Sequence, residues 1–245
     1  MVDTAIKICG LQSVEVVKSL LPLQVDWIGF VFAPSRRQVP ADQAGMMIEA
    51  VKEWGAGHRE PKLPKTVGVF VNPAMEELEQ VLGQAKLDVV QLHGQERPEF
   101  CRQVKQRFGV EVFKALAMRS KAAEGGVQEA NENAQAESEP EPFSPDVLLE
   151  PYRHSVDAIL LDTYDPVYGG GSGVAFDWSL IKPYQAWAHN ARIPLLIAGG
   201  LHERNVGQLV RDYHPDGVDV SSGVEREGVK DIGLITAFVE RVRGQ

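Results

Sequence analysis

The chain has 245 residues and a hydrophobic content of 44%, enough for a large core in one barrel domain or two small domains. A net charge of −9 excludes a nucleic-acid backbone binder, which needs clustered Lys and Arg. Cys9 and Cys101 lie far apart with no CxxC partner, no apolar run reaches membrane-span length, and the N-terminus lacks a basic-then-apolar signal pattern. A soluble cytoplasmic protein without a disulfide framework or metal site is therefore expected.

Ala5–Cys9 reads as a short strand stopped by Gly10, with Lys7 and Cys9 on one face and Ile6 and Ile8 on the other. Ser13 is placed to cap a helix whose apolar positions Val14, Val17 and Leu21 stop before Pro22. Trp27–Phe32 is a second strand, exiting into a loop with the adjacent cations Arg36 and Arg37. A helix from about Pro40 to Trp54 leads to a third strand, Thr66–Val71. Asn72-Pro73 predicts a cap and first helical residue for the third helix. Val89–His93 is the fourth strand, followed by a helix over roughly Arg97–Phe108 and a fifth strand at Val112–Leu116.

The rhythm then breaks. Residues 120–146 hold seven acids against one base, a net of −6, and almost no large apolar side chain. Such a segment cannot bury enough surface to offset its ordering entropy, so it reads as a disordered acidic insertion after strand five. Ala158–Asp162 resumes the pattern as strand six. A glycine-dense loop at Gly169–Gly173 then reads as a mobile lid, and Phe176-Asp-Trp178 as a helix start, with Pro183 expected to kink or interrupt that helix.

Two further apolar runs end in small residues, at Ala198-Gly-Gly-Leu201 and Val218-Asp-Val-Ser-Ser-Gly-Val-Glu225. They are separated by a helix near Arg204–Tyr213, and a helix over about Asp231–Val242 closes the chain. Glycine and serine at such exits let backbone approach a ligand with free N–H groups, the phosphate cradle recurrent after the last two strands of a (β/α)8 barrel. Eight brief apolar strands in this rhythm predict an α/β fold of that type, a single-domain (β/α)8 TIM barrel spanning residues 1–245. A doubly wound sheet would usually need fewer units.

In such a barrel the reactive groups sit at the C-terminal ends of the strands. Here those ends hold Cys9, the Arg36/Arg37 loop, His93, Asp162 and Asp219. Each also has a plainer reading: a buried free thiol at Cys9, a cap at Asp162, a solvated pair at Arg36 and Arg37. His93 after Gln91-Leu92 reads equally as a hydrogen-bonded strand end, and Asp219 as a residue that orients backbone amides. On the functional reading, the Lys7 ammonium favours a Cys9 thiolate that can accept a proton. Asp162 in the barrel mouth suits a general acid, and one of the two arginines suits a bidentate clamp on a carboxylate. Cys101, in a helix, reads as structural.

Several of these segments together resemble phosphoribosylanthranilate isomerase. They are Lys7-Ile-Cys-Gly10, Gly29–Phe32 with Ser35-Arg-Arg37, Val67–Asn72, Val90-Gln-Leu-His-Gly94 and Leu160-Leu-Asp162. Gly170–Gly173 with Phe176-Asp-Trp178, Ala198–Leu201 with Asn205-Val206, and Val218–Glu225 complete the series, one per strand end across nearly the whole chain. The resemblance implies a cofactor-free Amadori rearrangement of N-(5-phosphoribosyl)anthranilate in tryptophan biosynthesis. It implies Asp162 as general acid and Cys9 as general base, with Arg37 beside the anthranilate. Lys7, Gln91, His93 and Asp219 would complete the substrate site, and Gly199, Gly200, Ser221, Ser222 and Gly223 the phosphate turns. A phosphorylated small molecule is the expected partner, with a monomer or homodimer and no metal. Two departures stand out: the long acidic segment, and His202 where the family often has asparagine.

The same residues bear on three other readings. The histidine-pathway isomerase would want a carboxylate where this chain has Cys9. The enzyme that forms the indole ring would want a lysine acid. A non-catalytic phosphate-binding barrel would show a damaged acid or base, and both are intact.

Overall fold

Runs of branched and aromatic residues that are apolar on both faces frame the molecule, because each strand is covered by helices outside and by its neighbours' side chains inside. The computed structural model describes residues 4–59, 62–118, 145–163 and 176–245. The strands are β1 (Ala5–Cys9), β2 (Trp27–Val31), β3 (Lys65–Phe70), β4 (Val89–Leu92), β5 (Glu111–Met118), β6 (Ala158–Thr163), β7 (Leu195–Ile197) and β8 (Gly217–Val220). They pair in parallel in chain order, and β8 returns to β1 with Lys7 opposite Asp219, so the sheet closes into a barrel. The (β/α)8 expectation is met.

The helices are α1 (Val14–Leu20), α2 (Ala41–Ala56), α3 (Met75–Gln84), α4 (Pro98–Phe108), α5 (Pro145–Leu149), α6 (Ile181–Ala191), α7 (Val206–Tyr213) and α8 (Ile232–Arg243). Ile6, Ile8, Ile28, Phe30, Val90, Leu92, Ile159 and Leu161 join the apolar layer between sheet and helices. The opposite faces of the strands fill the barrel with Val67, Val89, Phe113, Ala115, Ala158, Leu160, Leu196 and Ala198. That alternation turns Lys7, Cys9, Gln91, Asp162 and Asp219 inward, toward the mouth.

Ser13 caps α1 by accepting the Val16 N–H at 3.3 Å, and Asp231 caps α8 by accepting the Leu234 N–H at 2.9 Å. Asn72, read as the cap of α3, is not one: that helix starts at Met75, with Ala74 as its cap residue. Asn72 sits instead in left-handed backbone (φ 47°) and ties two loops together. Its side chain accepts the Gln95 N–H at 2.7 Å, and its own N–H donates to Glu96 Oε1 at 2.7 Å.

Pro183 does not interrupt α6, because it is the third residue of that helix, in the first turn, where a missing N–H breaks no hydrogen bond. The helix start expected at Phe176-Asp-Trp178 is a 3₁₀ turn at Trp178–Leu180, whose Ser179 N–H Asp177 accepts. The acidic insertion ends short of residue 146, because Pro145 and Asp146 already belong to α5, with proline at the first helical position. Residues 120–144 and the glycine run Gly169–Gly173 lie outside the described residues.

Candidate active site

Parallel register sets the site's geometry. Lys7 on β1 stands opposite Asp219 on β8, and its ammonium donates to Asp219 Oδ2 at 3.0 Å with Lys7 fully buried. Burial works against the Lys7 ammonium, but the Asp219 carboxylate and the Cys9 sulfur outweigh it and raise its pKa. Burial pushes the Asp219 carboxyl up, against the pull of Lys7. Asp219 therefore pairs with a side chain instead of orienting backbone amides, and its Oδ1 has no hydrogen-bond partner among the described residues.

Cys9 ends β1 with its sulfur packed on Gly29 of β2: a Cβ at Gly29 would lie 2.8 Å from Cys9 Sγ. The expected pull of Lys7 toward thiolate is present, but it does not set the net effect. Lys7 does pull the thiol pKa down, but burial is the larger influence and raises it above the ordinary value. Cys9 is thus held as a thiol in this state. Cys101 lies fully buried on α4, away from these groups, and burial raises its pKa to about 11.

Across the mouth, Gln91 and His93 come from β4 and its exit. Gln91 Nε2 donates to His93 Nδ1 at 3.1 Å, which leaves the His93 proton on Nε2, 3.3 Å from Asp162 Oδ2 on β6. Asp162 thus meets a side-chain partner in the mouth, and the segment that a capping Asp162 would serve lies outside the described residues. Gln91 Oε1 is buried without a partner among the described residues.

Between β6 and β1 lie β7 and β8, whose exits line a small cavity with Asp162, Gly199, Gly200, Leu201, Asp219, Ser221 and Ser222. Gly199 has φ 81°, and a Cβ there would fall 2.2 Å from Thr163 Oγ1. A Cβ at Gly223 would fall 1.8 Å from the Leu201 carbonyl oxygen, so the two turns touch backbone to backbone. Asn205 secures the first turn: its Nδ2 donates to the Gly200 carbonyl at 2.9 Å, and its Oδ1 accepts the His202 N–H at 2.8 Å. Ser221 Oγ donates to the Cys9 carbonyl at 3.2 Å, so this hydroxyl serves the fold. A larger open groove of about 540 Å³, beside Asn72, Glu96, Arg97 and Phe100, gathers none of these groups, and the chemistry of the strand ends outweighs its size.

Arg37 lies over Gly10, where a Cβ would sit 2.6 Å from Arg37 Cδ. Its guanidinium forks onto Glu225, with Nε donating at 2.6 Å and an Nη at 3.0 Å, while Arg36 reaches the same carboxylate at 3.0 Å. Burial works against the Glu225 carboxylate, but Arg37 and Lys230 outweigh it and hold its pKa low.

Sequence reasoning missed Glu225 and Lys230 as site residues, and it also missed Lys114 and Glu96. The buried Lys114 ammonium donates to the Gly94 carbonyl at 2.7 Å and to Glu96 Oε2 at 3.1 Å, and so braces the turn after His93. The lone basic residue in an otherwise apolar strand was the available signal. Among the described residues no three His, Cys, Asp or Glu side chains cluster as a metal site requires, and no helix is long and apolar enough to cross a membrane.

A closed barrel with titratable side chains and glycine-lined turns gathered at the C-terminal ends of its strands defines a (β/α)8-barrel enzyme. The family model described as N-(5'phosphoribosyl)anthranilate (PRA) isomerase matches residues 6–138 and 140–241. The chain is 46% identical to the N-(5'-phosphoribosyl)anthranilate isomerase of Brevibacillus brevis, over 98% of this chain and 94% of that relative. The solved phosphoribosyl anthranilate isomerase of Thermotoga maritima superposes with a TM-score of 0.73 at 31% identity, over 99% of this chain and 100% of that one. A second solved isomerase, at 30% identity and a TM-score of 0.70 over 99% and 100%, is in complex with reduced 1-(o-carboxyphenylamino)-1-deoxyribulose 5-phosphate. The chain belongs to the N-(5'-phosphoribosyl)anthranilate isomerase family.

Proposed function

We propose that the protein converts N-(5-phosphoribosyl)anthranilate into 1-(2-carboxyphenylamino)-1-deoxyribulose 5-phosphate by acid–base catalysis in tryptophan biosynthesis. One observation supports this above the others. Cys9 and Asp162 project from strands that flank the two strands carrying the glycine-lined turns. A sugar phosphate anchored between them presents its reacting carbons to both groups, and binding energy at the remote phosphate holds them in place.

In this reading Asp162 protonates the ribose ring oxygen. The bond from that oxygen to C1 breaks as the nitrogen lone pair forms an iminium. Cys9 removes the proton from C2, and the electron pair neutralises the iminium to give an enolamine. Loss of the C2 hydroxyl proton and protonation at C1 complete the ketone, with no net gain or loss of atoms.

The base must be thiolate, so substrate must shift Cys9 from its resting thiol, and Lys7 is the adjacent cation that favours the shift. His93 orients the Asp162 carboxyl. The unpaired Asp219 Oδ1 and Gln91 Oε1 are acceptors for sugar hydroxyls. Backbone N–H groups of Gly199, Gly200, Ser222 and Gly223, together with the Ser221 turn, receive the phosphate. Arg37 leaves Glu225 for the anthranilate carboxylate, one carboxylate replacing another on the same fork. The reading needs no cofactor, and it sets the protein in the cytoplasm as a monomer or homodimer.

The test is the decay of phosphoribosylanthranilate fluorescence with purified protein, with product identified by mass and chromatography. Turnover of that substrate, and none of the histidine-pathway aminoaldose, is the expected result. Turnover of the histidine-pathway substrate alone would move the assignment to that reaction.

A further inference from the structure

Lys230 is a cation that the mechanism leaves unused. It sits just before α8 in a short hairpin (Glu225–Arg226 paired with Val229–Lys230) that follows the phosphate turn of β8. Only 9% exposed, it donates from one ammonium to the Ser221 carbonyl at 3.0 Å, to Ser221 Oγ at 3.3 Å and to Glu225 Oε1. A solvated surface lysine would gain little from such a place, since burying an ammonium is unfavourable unless its donors are matched.

The consequence follows from peptide planarity. In a trans peptide the C=O and N–H point in opposite directions. An ammonium that grips the Ser221 carbonyl therefore turns the Ser222 N–H away from Lys230. Ser222 lines the cavity with Gly199 and Gly200, and among the described residues its N–H has no protein acceptor. Asn205 holds the other turn by the Gly200 carbonyl, so the peptide it fixes carries the Leu201 N–H. On its far side Lys230 shares the Glu225 carboxylate with Arg37. One buried cation thus touches both the turn assigned to the phosphate and the carboxylate that holds the arginine assigned to the aromatic acid.

We propose that Lys230 is a positioning residue joining the two ends of the substrate site, holding the Ser221–Ser222 peptide for the phosphate and, through Glu225, Arg37 for the aryl carboxylate. The inference rests on the isomerase reading above and adds to it a link between the site's ends. When substrate draws Arg37 off Glu225, Lys230 remains, with the more exposed Arg36, as counter-charge of that carboxylate.

The experiment is steady-state kinetics on the full chain, with inorganic phosphate as a competitive probe of the phosphate turn. Lys230→Met is expected to raise both KM and the phosphate Ki about tenfold or more while kcat falls less than about threefold. Glu225→Gln, which spares the Ser221 contact, is expected to raise KM but leave the phosphate Ki within about twofold. A role confined to stability would lower the melting temperature and move neither constant. KM and Ki within twofold of wild type in folded Lys230→Met overturn the inference. If that variant does not fold, Glu225→Gln carries the test, and a KM within twofold of wild type overturns the link between the two ends. Absence of turnover in the wild-type protein would instead sink the isomerase reading, so the two failures are distinguishable.

Discussion

Replacing Lys7 with methionine removes the counter-charge of Asp219 at almost unchanged volume. The two groups are 3.0 Å apart, with side-chain exposures of 0% and 8%. At an effective dielectric of about 20, unit charges at that distance attract by roughly 5 kcal/mol, part of which offsets the burial of both ions. Removing one partner of such a pair typically costs about 3–5 kcal/mol, because the other charge stays buried and unmatched. Asp219 Oδ1 already lacks a partner, so methionine would leave the whole carboxylate bare. The loss should be read by urea denaturation at pH 8, with a thermal midpoint lower by about 2–4 °C per kcal/mol.

The deficit should shrink at acid pH. Burial already raises the Asp219 pKa, and without Lys7 it rises further. A raised folded pKa gives stability that is full below the unfolded value and lost as pH climbs through the folded one. The variant should therefore lie closer to wild type at pH 5 than at pH 8. Lys7→Met with Asp219→Leu should recover most of the loss, since no charge is stranded. A single Lys7→Met variant within 1 kcal/mol of wild type at pH 8 would refute the account of this pair.

Gly223→Ala should weaken inhibition by inorganic phosphate at least tenfold, because its Cβ would meet the Leu201 carbonyl oxygen at 1.8 Å and force the two turns apart; an unchanged Ki would show that the cradle lies elsewhere. Stability should fall as pH rises above 9, since the unfolded Cys101 thiol ionises there while the folded one holds its proton to about 11; Cys101→Ala should flatten that slope, and an identical slope would assign it to other groups. Deleting residues 120–144 should leave kcat/KM within about threefold, because no assigned site residue falls in that stretch; a tenfold loss would mean that it takes part in the site.

Much of the barrel was legible because strand periodicity and small residues at strand exits are local signals. The inward turn of Lys7 and Cys9 followed from alternation with Ile6 and Ile8 alone. What local reading could not supply was contact across the closure. Arg37 and Glu225 are 188 positions apart and meet only because β8 returns beside β1. Nothing near Lys230 in sequence announces that its ammonium ends on Ser221.

The net shift of Cys9 was not legible for a related reason. The neighbouring cation is visible two residues away, whereas the burial that outweighs it depends on the whole barrel. Asn72 was misread because Asn-Pro is a common helix opening, while the loop across from it offered a stronger set of partners in Gln95 and Glu96.

The central claim is that the Cys9 thiol and the Asp162 carboxyl group move the protons. Single-turnover decay of phosphoribosylanthranilate fluorescence tests it most directly, with Cys9→Ser and Asp162→Asn compared against wild type at enzyme excess. The account predicts that each variant slows the decay by at least about a hundredfold, the scale of a lost general acid or base, while folded content and phosphate affinity stay near wild type. Decay at the wild-type rate in either variant would contradict it.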